Sequence, residues 1–244
     1  MPAVPEVLTE VRDRALVVTI NRPEARNAVN GATAALLFEA VQRFRADDDL
    51  DTLILTGAGD LAFCAGADLK DSGSLMRREG AQESGPMGFT RVTDLPKPAI
   101  AAINGYCLAG GLEVACWADF RIADESARFG VLNRRWGVPL VDGGTARLPR
   151  IVGLGNALYL IETGVMIDAH HALRMGLVQE VVPEGKALHR ALELAAAISA
   201  YPRASLIGDR RSAIEGLHLS LPDALDLERR FQSGDRPPPP TPPA

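Results

Sequence analysis

Residues Lys97–Glu113 read KPAIAAINGYCLAGGLE, and the fold is decided there. Pro98–Asn104 is an apolar run short enough for a buried strand, and Gly105 closes it with turn chemistry. Gly110 and Gly111 end a tight turn and open a helix over Leu112–Ala118, after which Phe120–Ala123 returns to strand. Strand, turn, helix and strand in this cadence predict an α/β architecture. A helix start also presents backbone N–H groups without partners and a partial positive charge, which together can hold a developing oxyanion. Taken alone, a glycine pair at that place is better explained by close strand–helix packing.

The same cadence extends outward. Leu16–Ile20 is a β-branched run stopped at Asn21-Arg22-Pro23, and Thr52–Leu55 is a second short apolar run. Between them, Asn30-Gly31 opens a helical stretch with apolar residues at Ala35, Leu36, Phe38, Ala40, Val41 and Phe44, closed by Asp47–Asp49. Residues 57–71 are Gly-rich and irregular, and 71–88 carry no clean period. Beyond Gly144 the chain reads as helices over Asn156–Thr163, Ala169–Met175, Lys186–Ala200 and Arg203–Glu215. The end, RPPPPTPPA from Arg236, cannot continue a helix and is expected to be extended or disordered. No repeat of fixed period is visible.

Bulk properties narrow the function classes. The 244 residues suit one large domain or one domain with an appendage, and a net charge of −5 lacks the basic footprint that nucleic acid requires. Arg134-Arg135 and Arg210-Arg211 read as solvated faces, or as local charge for a phosphorylated small molecule. Cys64, Cys107 and Cys116 show no zinc-like pairing and are expected as buried free thiols. No signal-like start and no long apolar run occur, so a cytoplasmic protein is expected. His170, His171, His189 and His218 share no ligand spacing, and no metal site is expected. Gly57-Ala58-Gly59-Asp60-Leu61-Ala62 fits G-x-G-x-x-A after a strand, but no helical period follows, so a dinucleotide site is not expected.

A second glycine-containing segment, Phe63–Lys70 (FCAGADLK), joins the first. With NRPEARNAV (21–29), LTGAGDLAFCAGADLK (55–70), FGVLNRRWGVPLVDGGTARL (129–148) and ALRMGLVQEVV (172–182), the chain resembles the enoyl-CoA hydratase/isomerase (crotonase) superfamily from about Ala15 to Pro183. The resemblance implies a spiral of β-β-α turns and a helical C-terminal portion. It divides the chain into an acyl-CoA-binding core (1–190), a helical oligomerisation segment (191–235) and the Pro-rich tail (236–244). It further implies an acyl-CoA thioester substrate, no separate cofactor, and a homotrimer or hexamer.

Carried over by motif, the N–H groups of Ala67 and Gly110 would bind the thioester carbonyl. Ala65, Asp68, Leu69 and Lys70 would contact CoA, with Ala25 and Arg26 along its pantetheine and phosphates. Glu113 would be a catalytic carboxylate, although an acid in a first helical turn also suits the helix dipole. The second carboxylate of hydratases falls four residues after Phe129, where this chain has Asn133. Asp142 could compensate as an active-site group, or be a turn residue capping Gly144. Three readings follow: water addition to a 2-enoyl-CoA with Glu113 as acid/base, single-carboxylate chemistry such as enoyl-CoA isomerisation, and non-catalytic acyl-CoA binding.

Overall fold

The computed structural model describes residues 4–232. The chain opens with the hairpin β1 (Val7–Arg12) and β2 (Ala15–Ile20), followed by α1 (Gly31–Ala46). Asn30 caps α1 by accepting from the Thr33 N–H at 2.8 Å. The buried stripe of α1 is Ala34, Leu37, Val41 and Phe44, a 3-4-3 spacing. Ala35, Leu36 and Phe38, expected on the apolar face, flank it half-buried. Ala40, Val41 and Phe44, also expected there, are buried, and the fully buried Leu37 joins them.

Three strand pairs then alternate between two sheets. β3 (Thr52–Gly57), β5 (Ala99–Ile103) and β7 (Phe120–Asp124) enter a six-stranded sheet. Their immediate successors β4 (Ala62–Cys64), β6 (Tyr106–Leu108) and β8 (Arg128–Gly130) enter a four-stranded one. The large sheet is completed by β1 and β2 at one end and β10 (Glu180–Val182) at the other, and β9 (Met166–Asp168) lies antiparallel to β8. Each pair is one turn of a spiral, so the repeat is structural and leaves no periodic trace in sequence. The stretch 71–88, read as loop, contains the short helices α2 (Ser72–Arg77) and α3 (Ala81–Ser84). α4 (Gly110–Trp117) follows β6 directly.

Alternation along the large sheet splits the core in two. Leu16, Val18, Ile20, Leu53 and Leu55 face the small sheet with α1 and α4, while Val17, Ile54, Ile100 and Ile122 face the opposite side. α5 (Gly144–Val152), α6 (Leu154–Thr163) and α7 (Ala169–Arg174) precede α8 (Ala187–Ser199). α8 covers that second face with Ala187, Ala191 and Ala195, spaced four apart, so small side chains let the helix sit close to the strands. The expected division at 190/191 therefore falls inside a helix of the core. α9 (Arg203–Gly216) and α10 (Leu221–Gln232) form a hairpin whose first helix buries Gly208 alone. Arg210 tethers it through two 2.8 Å bonds to Asp119 and one of 2.6 Å to the Leu95 carbonyl. The Pro-rich tail lies outside the described residues. Among them, no helix is long and apolar enough to cross a membrane.

One stability consequence is local. Gly155 in α6 has open space where a Cβ would stand and an ordinary φ. Gly155→Ala is expected to raise stability by about 0.5 kcal/mol by restricting the unfolded chain, checked as a small rise in melting temperature.

Candidate active site

Two backbone segments meet between β4 and α4. After β4 the chain runs Ala65-Gly66-Ala67, and it is pinned to Val29 on both sides. The Val29 N–H donates to the Gly66 carbonyl and the Asp68 N–H to the Val29 carbonyl, each at 2.8 Å. After β6, Ala109 adopts φ 50° and ψ −120°, a conformation rare for an L-residue that turns the next peptide toward Gly66. A Cβ on Gly66 would come within 3.0 Å of the Gly110 nitrogen, and one on Gly111 within 2.1 Å of the Cys64 carbonyl oxygen. Both glycines are therefore required for the approach, and the packing and oxyanion readings of the Gly110-Gly111 pair hold together. Among the described residues, neither the Ala67 N–H nor the Gly110 N–H has an acceptor.

Glu113 stands in the first turn of α4 and is 3% exposed. Its carboxylate does not cap its own helix. Oε1 accepts from the Asp142 N–H at 2.9 Å and the Gly144 N–H at 2.7 Å. Burial raises its pKa to about 7, against these backbone hydrogen bonds and with help from the negative charge of Asp142. A Cβ on Gly144 would fall 2.9 Å from Oε1, so the 142–144 turn is fitted to this carboxylate.

Asp142 is buried and faces the other way. Its Oδ1 accepts from the Met87 N–H at 2.9 Å and from the Thr90 hydroxyl. It does not cap Gly144, whose N–H is held by Glu113. Burial raises the Asp142 pKa, opposed by the Met87 and Thr90 hydrogen bonds. Asn133, 7% exposed, donates from Nδ2 to the Val138 carbonyl at 2.6 Å and accepts the Val138 N–H on its backbone carbonyl at 3.2 Å. It closes the loop between them instead of offering a titrating group.

A cavity of about 300 Å³ brings Ala67, Gly110, Glu113, Asp142 and Asn133 onto one wall system. Arg26, Ala65 and Leu69 line it as well, whereas Ala25, Asp68 and Lys70 stand outside its lining. The Asp68 carboxylate is engaged by Arg22 at 2.9 Å and by the Lys70 N–H at 3.1 Å, and so braces the 65–70 segment. The cavity further holds Met87, Leu132, Trp136, Val138, Pro139 and Leu140. Apart from Leu140, these escaped the sequence reading because they come from a stretch without period, a five-residue 3-10 turn (Leu132–Trp136) and the loop after it. All three cysteines are buried and unbridged, and burial raises the thiol of Cys64, beside Gly66, to about 12. After Gly57-Ala58-Gly59 comes strand β4, so the dinucleotide-like pattern opens no helix. Among the described residues, no three His, Cys, Asp or Glu side chains cluster as metal ligands do.

The family model described as enoyl-CoA hydratase/isomerase matches residues 10–234. The chain belongs to this family. Relatives of the hydratase/isomerase family include the crotonyl-CoA hydratase of Syntrophomonas wolfei, 37% identical over 91% of this chain and 86% of the relative. The short-chain-enoyl-CoA hydratase of Clostridium acetobutylicum is 38% identical over the same shares. Among solved structures, the enoyl-CoA hydratase EchA1 of Mycobacterium marinum superposes with a TM-score of 0.86 at 38% identity, covering 93% of this chain and 89% of that one. The α/β spiral with its helical C-terminal portion is thus the hydratase/isomerase fold.

Proposed function

We propose that the chain hydrates a 2-enoyl-CoA, with Glu113 as sole proton carrier and the Ala67 and Gly110 N–H groups as oxyanion hole. The supporting observation is that a buried carboxylate with a pKa near 7 and two unpartnered N–H groups wall one cavity. The thioester oxygen accepts from both N–H groups, which draws electrons from the β-carbon. Glu113 takes a proton from water as the hydroxyl adds to that carbon, and the enolate charge rests on the two N–H groups. Protonated Glu113 then returns the proton to the α-carbon, so one water is added and the carboxylate is regenerated. Asp142 acts through its backbone N–H and its charge, and is a positioning residue. No separate cofactor enters these steps, and turnover is expected to survive dialysis against a chelator.

Incubation with crotonyl-CoA and longer enoyl-CoAs, followed by mass spectrometry, tests this directly. Asn133 favours a second reading, since one carboxylate suffices to move a double bond, and an isomerase product would keep the substrate's mass. The pH profile is a further check. Glu113 must be ionised to accept the water proton, so kcat/KM for hydration is expected to rise with pH through about 7 and then level. In Asp142→Asn the neighbouring negative charge is gone, the charged form of Glu113 is favoured, and the midpoint is expected to move to lower pH.

A homotrimer or hexamer is part of this reading, supported by the exposure of Leu217, Leu219, Leu221 and Leu225 around the α9–α10 hairpin. A clean monomer in light scattering would rule it out. A cytoplasmic location is supported by the three unbridged cysteines.

A further inference from the structure

Trp136 is 69% exposed at the end of the 3-10 turn, although it lines the cavity that holds Glu113. The second tryptophan shows the contrast: Trp117 is buried, donates Nε1–H to the Val92 carbonyl and packs edge-on against Phe89. Trp136 is nevertheless held in place. The Asn133 side-chain amide donates to the Val138 carbonyl and its backbone carbonyl accepts the Val138 N–H, and Gly137 makes the return with φ 66°. The residue at the second-carboxylate position thus carries a structural duty: it fixes the loop that presents the indole.

The surroundings define what the indole meets. Leu132, Val138, Pro139 and Leu140 line the same cavity, and Leu69, Val138 and Val141 are exposed around it. Several large apolar side chains left open around one cavity mark a binding surface. Its charges point the same way. Among the described residues lining it, Arg26 is the one cation, and the acids Glu113 and Asp142 adjoin the Pro139–Val141 wall. A carboxylate at the far end of an acyl group would meet the apolar Leu132–Leu140 surface there, with no lining cation among the described residues but Arg26.

We infer that the Leu132–Val141 wall selects bulky, uncharged apolar acyl groups, aryl or medium-chain, and that Trp136 is the specificity-determining residue that covers them. This rests on the acyl-CoA reading above. The test compares kcat/KM for crotonyl-, 2-octenoyl-, cinnamoyl- and 2,3-dehydroadipyl-CoA in wild type, Trp136→Ala and Trp136→Phe. Wild type is expected to favour the octenoyl and cinnamoyl substrates over crotonyl by about tenfold, with dehydroadipyl last. Trp136→Ala is expected to reduce that preference about tenfold through KM, and Trp136→Phe to keep most of it.

A preference for crotonyl or dehydroadipyl substrates would overturn the inference. So would an equal loss for every substrate in Trp136→Ala, which would place the indole over the shared CoA arm. A binding arm separates this from failure of the hydratase reading. Octanoyl-CoA has no double bond to hydrate, yet it should shift tryptophan emission to the blue at lower concentration than acetyl-CoA. That response should vanish in Trp136→Phe, where Trp117 alone remains; a response unchanged by the substitution would contradict the inference.

Discussion

Glu113→Gln is expected to lower kcat for hydration by about 10²–10⁴ while making the protein more stable above neutral pH. The two effects have one cause. In the unfolded chain this carboxyl titrates near 4.5; in the folded chain burial holds it at about 7. Between those values the folded state binds more protons than the unfolded one, so the group's contribution falls as pH rises. It is most favourable below about pH 4.5 and fully lost above 7. The difference corresponds to about 3 kcal/mol of folding free energy given up to keep an ionised carboxylate in the cavity. Glutamine retains an oxygen for the Asp142 and Gly144 N–H groups without ionising. Urea unfolding at pH 8 should therefore show the variant ahead by up to about 3 kcal/mol, with the gap closing toward pH 4. A variant that is inactive but no more stable at pH 8 would mean that Glu113 is not desolvated as described.

Gly111→Ala is expected to destabilise the fold by about 3 kcal/mol or more, because its Cβ would stand 2.1 Å from a backbone carbonyl. The Cys64 carbonyl cannot yield without moving β4 and, with it, the Ala67 N–H. Gly110→Ala provides the contrast. Its Cβ would meet the terminal Cε of Met87 at 2.1 Å, a flexible contact that can swing away. That variant is expected to fold, with Met87 displaced and turnover reduced. Thermal melts followed by circular dichroism distinguish them: a large drop for Gly111→Ala and a small one for Gly110→Ala. Equal melts would show that the two backbones do not approach as closely as the structure has them.

Much of the fold was legible because the central large-sheet strands β2, β3 and β5 are buried on both faces and read as nearly continuous apolar runs, as Leu16–Ile20 and Pro98–Asn104 do. The small sheet was not. β4, β6 and β8 have three residues each, too few for any period to register. α1 was found with Ala40, Val41 and Phe44 on its buried face, yet its first half was misjudged, because Ala35 and Leu36 are as apolar as the buried Ala34 and Leu37. In the site, Glu113 and the glycine pair could be picked out from spacing and family motif. Their partners could not: the N–H groups that hold Glu113 come from residues 29 and 31 positions later. The part played by Asp142 was undecidable from sequence, since its side-chain partners Met87 and Thr90 lie 55 and 52 residues upstream. Asn133 reads only as a missing acid until Val138 is seen closing on it.

The reaction itself is tested most directly in water labelled with heavy oxygen. The protein, incubated with a 2-enoyl-CoA, should yield an acyl-CoA heavier by one labelled water, with the label on the β-carbon, and Glu113→Gln should yield almost none. An unlabelled product of unchanged mass with a shifted double bond, or equal label incorporation by Glu113→Gln, would contradict hydration through this carboxylate.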